Sequence, residues 1–159
     1  MTDFPFGFDR PEDSPGFLLW QTTITWQRRI KKALHCYGVT HAQFVVLAIL
    51  LWFSYRDERD APPTQALIAG LSKLDIMTVS TSLKKLMEKD LTTREEHVRD
   101  SRANAVRLTK EGKKLALTLI PVVEAIDVAF FGVLPKRDEK SLVTLLSELM
   151  IKIESTQGT

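Results

Sequence analysis

The sequence has few of the features that cross-link, loosen or anchor a chain. Its single cysteine excludes an internal disulfide, and seven glycines and seven prolines among 159 residues are too few for a loop-dominated scaffold. The longest apolar run, Phe44 to Phe53, is about half of the ~20 residues that a membrane span needs. Asp3 stands where a signal peptide would have basic residues. We therefore expect a cytoplasmic protein of about one domain, with no membrane partner, stabilised by burial of apolar side chains.

Positive charge is concentrated in the middle of the chain. The whole sequence carries 22 Lys and Arg against 20 Asp and Glu, which is a near balance. Residues 73–114 contain 11 basic and seven acidic side chains, so this segment carries +4 and the remainder −2. Solvated helix faces explain such an excess about as well as an acidic partner does, so other patterns must decide.

The spacing of apolar residues predicts a mainly helical chain. Residues 1–16 contain three Pro and three Phe without a period, which is typical of an extended N-terminal arm. The first helix, residues 17–37, is apolar on more than one side, and Gly38 ends it. Thr40 is a suitable N-cap for a second, almost wholly apolar helix through Phe53, which we expect to lie in the core.

The next segment has the pattern of helix, short turn, helix. Thr64 is a suitable N-cap for a two-turn helix, Gln65 to Leu71, in which Leu67, Ile68 and Leu71 are predicted to face inward. Asp75 then caps a longer helix, Ile76 to Lys89. The positions of the longer helix that follow the helical period, and are predicted to be buried, are Ile76, Val79, Leu83, Leu86 and Met87.

A β-hairpin and two further helices complete the prediction. Leu91 to Glu96 and Ala105 to Leu108 are predicted strands, joined by a charged loop from His97 to Asn104. Thr109 caps a helix in which Pro121 should cause a kink. After a break at residues 134–137, a last amphipathic helix is predicted over residues 139–153. A single winged core cannot cover the apolar faces of these terminal helices, so we expect a second subunit to bury them.

A helix-turn-helix followed by a hairpin is a winged helix, a fold suited to DNA. Its second helix can enter the major groove while the wing contacts the adjacent backbone or minor groove. Short hydroxyl side chains allow close approach to base edges, and lysines attract phosphates. A solvated amphipathic helix is the alternative interpretation. The predicted DNA contacts of this helix are Thr78, Ser80, Thr81, Lys84 and Lys85.

The predicted wing carries two arginines beside one carboxylate. Arg99, Asp100 and Arg102 lie on an exposed turn, where an acidic neighbour can hold one arginine while another projects outward. A narrow minor groove has a negative potential that attracts a guanidinium presented in this way. We therefore predict that these three residues form the wing contact with DNA.

These residues together resemble the MarR family of winged-helix transcription regulators over roughly residues 15–150. The motifs that carry the resemblance are Phe17-Leu18-Leu19-Trp20, Trp26, Gly38-Val39-Thr40, Gln43-Phe44, Asp75, Thr78-Val79-Ser80, Leu86 to Leu91, Arg94, Asp100-x-Arg102, Leu108-Thr109-x-x-Gly112 and Val122-Val123-Glu124. The resemblance implies a homodimer, built by the terminal helices, that binds an inverted-repeat operator in double-stranded DNA. It also implies release from the operator by a small aromatic or phenolic effector or by an oxidant.

The sequence departs from the family pattern at two positions. Asp90 stands where the family usually has a glycine before the wing, so the helix end either lacks its left-handed residue or uses Asp there. Thr81 stands where the family often has arginine, which puts a direct guanine contact in doubt. If an effector pocket exists, the resemblance suggests a position between the first, second and fifth helices. The residues that we expect there are Trp20, Arg28, His41 and Phe44.

Several other functions remain as alternatives. Cys36 could be a redox switch, although a lone intracellular Cys is more often a small buried residue. His35, Cys36 and His41 lack the spacing of a metal site, so we expect neither metal nor cofactor. No nucleophile elbow, phosphate-binding glycine loop or carboxylate pair indicates an enzyme. A winged helix that joins proteins without touching DNA is the main competing hypothesis.

The sequence therefore predicts a mainly α winged helix-turn-helix with a two-stranded β-hairpin wing, flanked by N- and C-terminal dimerisation helices. We predict an arm over residues 1–16, a DNA-binding region over 38–109, and a dimerisation region formed by 17–37 and 110–155. The expected function is that of a sequence-specific dimeric regulator, a repressor that a small ligand releases from DNA.

Overall fold

The computed structural model describes residues 5–56, 62–97 and 100–157. Within these ranges it contains six α-helices and one two-stranded antiparallel sheet, which confirms the predicted fold class. A single 3₁₀ turn, Pro11–Asp13, precedes the first helix. The elements in chain order are α1 (Pro15–His35), α2 (His41–Ser54), α3 (Gln65–Ser72), α4 (Ile76–Glu88), β1 (Thr92–His97), β2 (Asp100–Leu108), α5 (Lys110–Phe131) and α6 (Lys136–Gln157).

Helix α2 lies at the centre of the core, as its apolar sequence predicted. It packs against α1, α3, α4 and β2. Val46 and Leu47 are completely buried, and Leu50 and Leu51 are nearly so. Opposite them, α4 contributes a fully buried stripe with helical spacing, namely Val79, Leu83 and Leu86. The core therefore holds the helix-turn-helix from its inner side and leaves the outer face of α4 to solvent.

Side-chain caps fix where these helices begin, because the first amides of a helix have no partner within it. Thr40 accepts a hydrogen bond from the Gln43 amide at 3.2 Å, and the Gln43 side chain accepts one from the Thr40 amide at 3.1 Å. Thr64 and Asp75 cap α3 and α4 by accepting a hydrogen bond from the amides of Leu67 and Thr78. The caps predicted at these positions are thus confirmed. The start predicted for α1 was wrong by two residues, because Ser14 caps the helix and Pro15 occupies its first position, where proline is tolerated.

Two helices end in the same Schellman geometry with different residues in the left-handed position. At the end of α1, Gly38 has φ 63°, and its amide donates to the carbonyl of His35 at 3.0 Å. At the end of α4, Asp90 has φ 54°, and its amide donates to the carbonyl of Met87 at 3.0 Å. The next amide, that of Leu91, bonds back to Leu86 at 2.9 Å and completes the motif. Asp90 therefore performs the role in which the family uses glycine.

The junction between α4, the hairpin and α5 requires a glycine. The Thr109 amide donates to the Leu91 carbonyl at 3.1 Å, and the Thr109 hydroxyl donates to the Asp90 carbonyl at 2.6 Å. Thr109 also caps α5 by accepting from the Gly112 amide at 3.0 Å, which confirms the predicted cap. A Cβ on Gly112 would lie 1.8 Å from the Leu91 oxygen. The motif Leu108-Thr109-x-x-Gly112 therefore allows the first turn of α5 to pack closely on Leu91, just after the end of α4.

The hairpin is longer than the sequence predicted. Strand β2 begins at Asp100 rather than Ala105, and β1 extends to His97, with a register shift between Glu96 and His97. The interior of the predicted loop is polar and has no apolar alternation to reveal a strand. At its base the hairpin also pairs with the segment before α3. The Val106 amide donates to the Pro63 carbonyl at 3.0 Å, and Thr64 forms a β-bridge with Ala105.

Three residues predicted to face inward are instead exposed. Leu67 and Leu71 in α3 are 44% and 51% exposed, and Ile76 at the start of α4 is 48% exposed. In α3 only Ile68 is buried, because a helix of eight residues presents one turn to the core. Ile76 occupies the first position of its helix, where no following element of the described chain covers it.

The contacts divide the chain into two units, Met1–Val123 and Glu124–Thr159. The second contains the end of α5 and all of α6, which begins at Lys136, three residues earlier than predicted. Pro121 lies inside α5, which continues past it to Phe131. No single helix in the described ranges has both the length and the hydropathy of a membrane span, although two bent pairs, α3 with α4 and α5 with α6, meet that criterion when taken together.

Candidate nucleic-acid interface and ligand cavity

The inner side of helix α4 is firmly packed, and its outer side is polar. It meets α3 at a bend of 118°, within the range typical of a helix-turn-helix. Thr81, Lys84 and Lys85 are exposed, whereas Thr78 and Ser80 are half-buried. The structure thus places the five predicted recognition residues on one helix, with three of them exposed.

Two of these five residues already have intramolecular partners. The Thr78 hydroxyl donates to Oδ2 of Asp75 at 2.6 Å, and the Thr78 amide donates to Oδ1 at 2.7 Å. These bonds, the hydroxyl contribution being the larger, hold the pKa of Asp75 below its usual value. The Lys85 ammonium pairs with Glu88 at 3.1 Å. Lys84 has no ion pair with any side chain that the structure describes, so it is the cation of this face most available to a phosphate.

The predicted wing contacts lie partly outside the described residues. Arg99 is outside them altogether, as is the turn between the strands. Asp100 and Arg102 lie on β2, with Asp100 opposite His97 in the register. The backbone therefore places Arg102 on the hairpin two residues beyond Asp100.

One glutamine connects the wing to α4. The side chain of Gln65, at the start of α3, accepts a hydrogen bond from Nη2 of Arg94 on β1 at 3.3 Å. Its amide nitrogen donates to the carbonyl of Ile76, the first residue of α4, at 3.5 Å. A second contact within the hairpin, an ion pair between Arg107 and Glu95, joins its two strands. Sequence reasoning did not identify Gln65, because its partners lie 11 and 29 residues away.

A cavity of about 760 Å³ opens between α1, the α1–α2 turn, α2 and the turn before α4. The rings of Trp26 and His41, both part of its wall, meet edge to face with centroids 5.2 Å apart. Lys31 and His35 contribute cationic or titratable side chains to its wall. The complete lining is Trp26, Gln27, Lys31, His35, Gly38, Val39, Thr40, His41, Ala42, Val45, Ser72 and Leu74.

This cavity contains one of the four residues predicted for an effector pocket. His41 lines it, but Trp20, Arg28 and Phe44 do not. Trp20 is 64% exposed on the first turns of α1, and Phe44 is buried with its ring centroid 6.5 Å from that of His41. The end of α3 and the turn after it, which supply Ser72 and Leu74, were not predicted to border the pocket. A signal was present in Gly38-Val39-Thr40, since a left-handed glycine followed by an N-cap forces a sharp turn between two helices.

The thiol of Cys36 is exposed at the C-terminal end of α1. Among the described residues no group of three or more His, Cys, Asp or Glu side chains has the arrangement of a metal site. These observations leave the redox hypothesis for Cys36 as a prediction.

The fold and the exposed helix define a winged-helix protein of the helix-turn-helix class. Residues 35–126, more than half of the chain, match the ArnR1-like winged-helix domain family. The chain is 36% identical over 143 residues to YdcH of Bacillus subtilis (strain 168), an uncharacterised HTH-type transcriptional regulator, covering 90% of this chain and 94% of YdcH. The chain therefore belongs to the ArnR1-like winged-helix family and is an HTH-type, DNA-binding transcriptional regulator.

Two solved structures share the fold. The protein is similar to BpsR of Bordetella bronchiseptica, whose structure concerns regulation of DNA binding by 6-hydroxynicotinic acid, with TM-score 0.77 and 24% identity over 92% of this chain and 97% of that one. It is also similar to a MarR-family transcriptional regulator from Rhodococcus sp. RHA1, with TM-score 0.76 and 22% identity over 89% and 96% of the two chains. The winged-helix fold that the resemblance to the MarR family implied is thus confirmed, and the regulatory relatives point to a protein that is not an enzyme.

Proposed function

We propose that the protein is a homodimeric, sequence-specific repressor that binds an inverted-repeat operator and is released by a small aromatic or phenolic acid. The observation that carries the DNA-binding mode is the outer face of α4. Its inner face is fully buried at Val79, Leu83 and Leu86, so the helix is held rigidly while its polar face remains accessible. Because such a regulator must reach DNA, we propose that the protein is cytoplasmic.

The charges on α4 support contact with DNA in one orientation. Ser80, Thr81 and Lys84 form a surface without a carboxylate between them. The two acidic groups of the helix stand at its ends, where Asp75 serves as the cap and Glu88 pairs with Lys85. We therefore assign base or phosphate contacts to Ser80 and Thr81 and a phosphate contact to Lys84, with Lys85 and Thr78 in supporting positions. Arg102, Asp100 and Arg99 complete the proposal as the wing contact.

Exposed apolar side chains at both ends of the chain support a homodimer. The first turns of α1 expose Phe17, Leu18, Leu19 and Trp20, each more than 40% accessible. Helix α6 has no buried residue at all among those that the structure describes. Its exposed apolar side chains are Val143, Leu145, Leu146, Leu149, Met150, Ile151 and Ile153. Because patches of this size are rarely left in water, we propose that a second copy covers them and that the dimerisation region includes residues 17–37 and 110–155.

The chemistry of the cavity supports an aromatic acid as effector. Its volume of about 760 Å³ lies within the usual range for small-molecule sites. Trp26 and His41 supply ring surfaces, while Lys31 and His35 supply groups that attract a carboxylate. The structure of BpsR, which concerns an aromatic acid that regulates DNA binding, shares the fold and favours the same class of ligand here. We place the effector in this cavity, with His41 as the one residue retained from the original prediction.

DNA binding is tested first by fluorescence anisotropy on random duplex DNA at two salt concentrations, followed by selection from a random-sequence pool. Steeply salt-dependent binding that enriches an inverted repeat is the expected result. A folded dimer that fails to bind DNA at low salt would instead favour the protein-interaction module.

Substitutions then assign the contacts. Arg102→Ala should lower affinity and reduce the slope of log K against log salt by about one for each arginine removed. Thr81→Ala should change the enriched sequence more than the affinity for random DNA. Arg137→Ala, at an exposed arginine of α6, is the matched control and should leave the salt slope unchanged. An unaltered slope in the Arg102 variant would contradict the wing assignment.

A further inference from the structure

Lys89 joins the end of α4 to the end of α1. It directly follows the last residue of α4, and its Nζ donates to the carbonyl oxygen of Gly38 at 2.6 Å, across 51 positions of the chain. The ammonium therefore lies at the negative end of the α1 dipole and forms a charge-assisted hydrogen bond there. Gly38 is the left-handed residue that closes α1, so its carbonyl direction is fixed by the Schellman motif.

Gly38 is also part of the cavity wall. Nearby residues of the chain, His35, Val39, Thr40 and His41, line the same cavity, so the second half of the α1–α2 turn borders the space that a ligand would fill. A molecule that displaces this turn must displace the oxygen that Lys89 holds.

The cavity reaches α4 at its other end as well. Ser72 and Leu74 line it, and the Leu74 amide donates to the Ser72 hydroxyl at 3.2 Å directly before the Asp75 cap. At the C-terminal end, the residues after Lys89 are bonded to Thr109 through the carbonyls of Asp90 and Leu91. The segment before the recognition helix thus lines the cavity, and Lys89 directly after the helix is bonded to the cavity wall.

We propose that Lys89 is a positioning residue that transmits occupancy of the cavity to the recognition helix. This inference rests on the proposed function, since it assigns the route by which the effector alters DNA binding. An occupied cavity shifts the Gly38 carbonyl, the Lys89 hydrogen bond carries that shift to the last turn of α4, and the helix leaves the orientation that fits the operator.

A double-mutant cycle tests the proposal without requiring the natural ligand. Ala42→Phe places a ring in the cavity from the first turn of α2 and stands in for an occupant. The binding probe is the duplex that the wild-type protein enriches from a random pool. Ala42→Phe should weaken binding of this duplex by about 5- to 50-fold, within the usual range of allosteric coupling. In a Lys89→Met background the same change should weaken binding by twofold or less, because the connection is absent.

Two further variants separate positioning from other roles of Lys89. Lys89→Arg keeps a cationic donor and should retain most of the effect of Ala42→Phe. Lys114→Met removes a lysine that is exposed on α5 and should retain all of it. If Lys89→Met lowers the affinity for the duplex by the same factor with and without Ala42→Phe, then Lys89 only contacts phosphate and the proposal is wrong. An Ala42→Phe variant with wild-type affinity would also overturn it.

Hydrogen exchange provides a measurement that does not depend on DNA. Ala42→Phe should speed amide exchange at residues 86–91 by at least threefold in the wild-type background and leave it unchanged in Lys89→Met. Equal acceleration in both backgrounds would refute the role of Lys89 even if the protein binds DNA. If Ala42→Phe speeds exchange only when Lys89 is present, but the protein does not bind DNA, then the role of Lys89 stands and the proposed function is wrong. Circular dichroism and gel filtration confirm that each variant is folded with its wild-type assembly state.

Discussion

Gly112 offers the sharpest test of how this fold is held together. A Cβ at this position would lie 1.8 Å from the Leu91 oxygen and 2.8 Å from the Leu91 carbonyl carbon, both of which are backbone atoms that cannot rotate away. Non-bonded contacts to a Cβ essentially never fall below 3.0 Å, so Gly112→Ala must separate α5 from Leu91 by at least about 1.2 Å.

That displacement has a cost that the hydrogen bonds allow us to estimate. The Thr109 amide bonds to the Leu91 oxygen at 3.1 Å, and the Thr109 hydroxyl bonds to the Asp90 carbonyl at 2.6 Å. A shift of about 1.2 Å breaks both, and each contributes on the order of 1 kcal/mol. With the strain of displaced packing, Gly112→Ala should lower the free energy of unfolding by about 3 kcal/mol, or lower Tm by roughly 6–12 °C for a chain of this size.

Gly70→Ala is a matched control with the opposite expected sign. Gly70 lies in α3, is exposed, and has no atom within 4 Å of an added Cβ. Alanine there should raise the free energy of unfolding by about 0.5–1 kcal/mol, because it restricts the unfolded chain and favours the helix. Urea denaturation at one fixed protein concentration measures both variants, since the stability of a dimer depends on concentration. A Gly112→Ala variant as stable as wild type would refute the inference that α5 must approach Leu91 this closely.

Two further predictions concern the ends of α4. Asp90→Gly should raise the free energy of unfolding by about 0.5–1 kcal/mol, because a residue with φ 54° bears steric strain that glycine lacks; Asp90→Ala keeps the Cβ and serves as the control, and equal urea midpoints for the two variants would contradict this reasoning. The lowered pKa of Asp75 means that its carboxylate stabilises the fold fully above its ordinary pKa of 3.8 and loses that contribution as pH falls through the lower value in the folded protein. Asp75→Asn keeps an acceptor for the Thr78 amide but does not titrate, so the variant should lose less stability than wild type in urea titrations below pH 4; parallel curves would argue against a stabilising carboxylate.

Local chemistry explains why much of the fold could be predicted from the sequence. Thr40, Thr64 and Asp75 cap helices through hydrogen bonds that span only three residues, so their role can be inferred from a short segment. The buried stripe of α4 follows from the helical period. For Asp90, the sequence left two alternatives open, and only the backbone dihedral angle decided between them.

Features formed by residues far apart in the chain could not be predicted in this way. The cavity brings together side chains of α1, the start of α2 and the segment Ser72–Leu74, and half of its lining residues have the polarity of ordinary surface residues. Leu67 and Leu71 have the spacing of a buried stripe, yet whether a neighbour covers them depends on packing that the pattern does not contain. The length of the hairpin was missed because Glu96 and His97 pair with Asn104 and Asp100 in a segment without an apolar alternation.

The contact of Gln65 with both Arg94 and Ile76 has a consequence for the choice of operator. One side-chain amide joins the first residue of α4 to the first strand of the wing, so the distance between the two proposed DNA-contacting parts is set when the chain folds. Each base pair inserted between the regions that they contact moves one of them by 3.4 Å and rotates it around the duplex axis. With these proposed contacts, we expect the protein to reject operators of altered internal spacing even when every contacted base is correct.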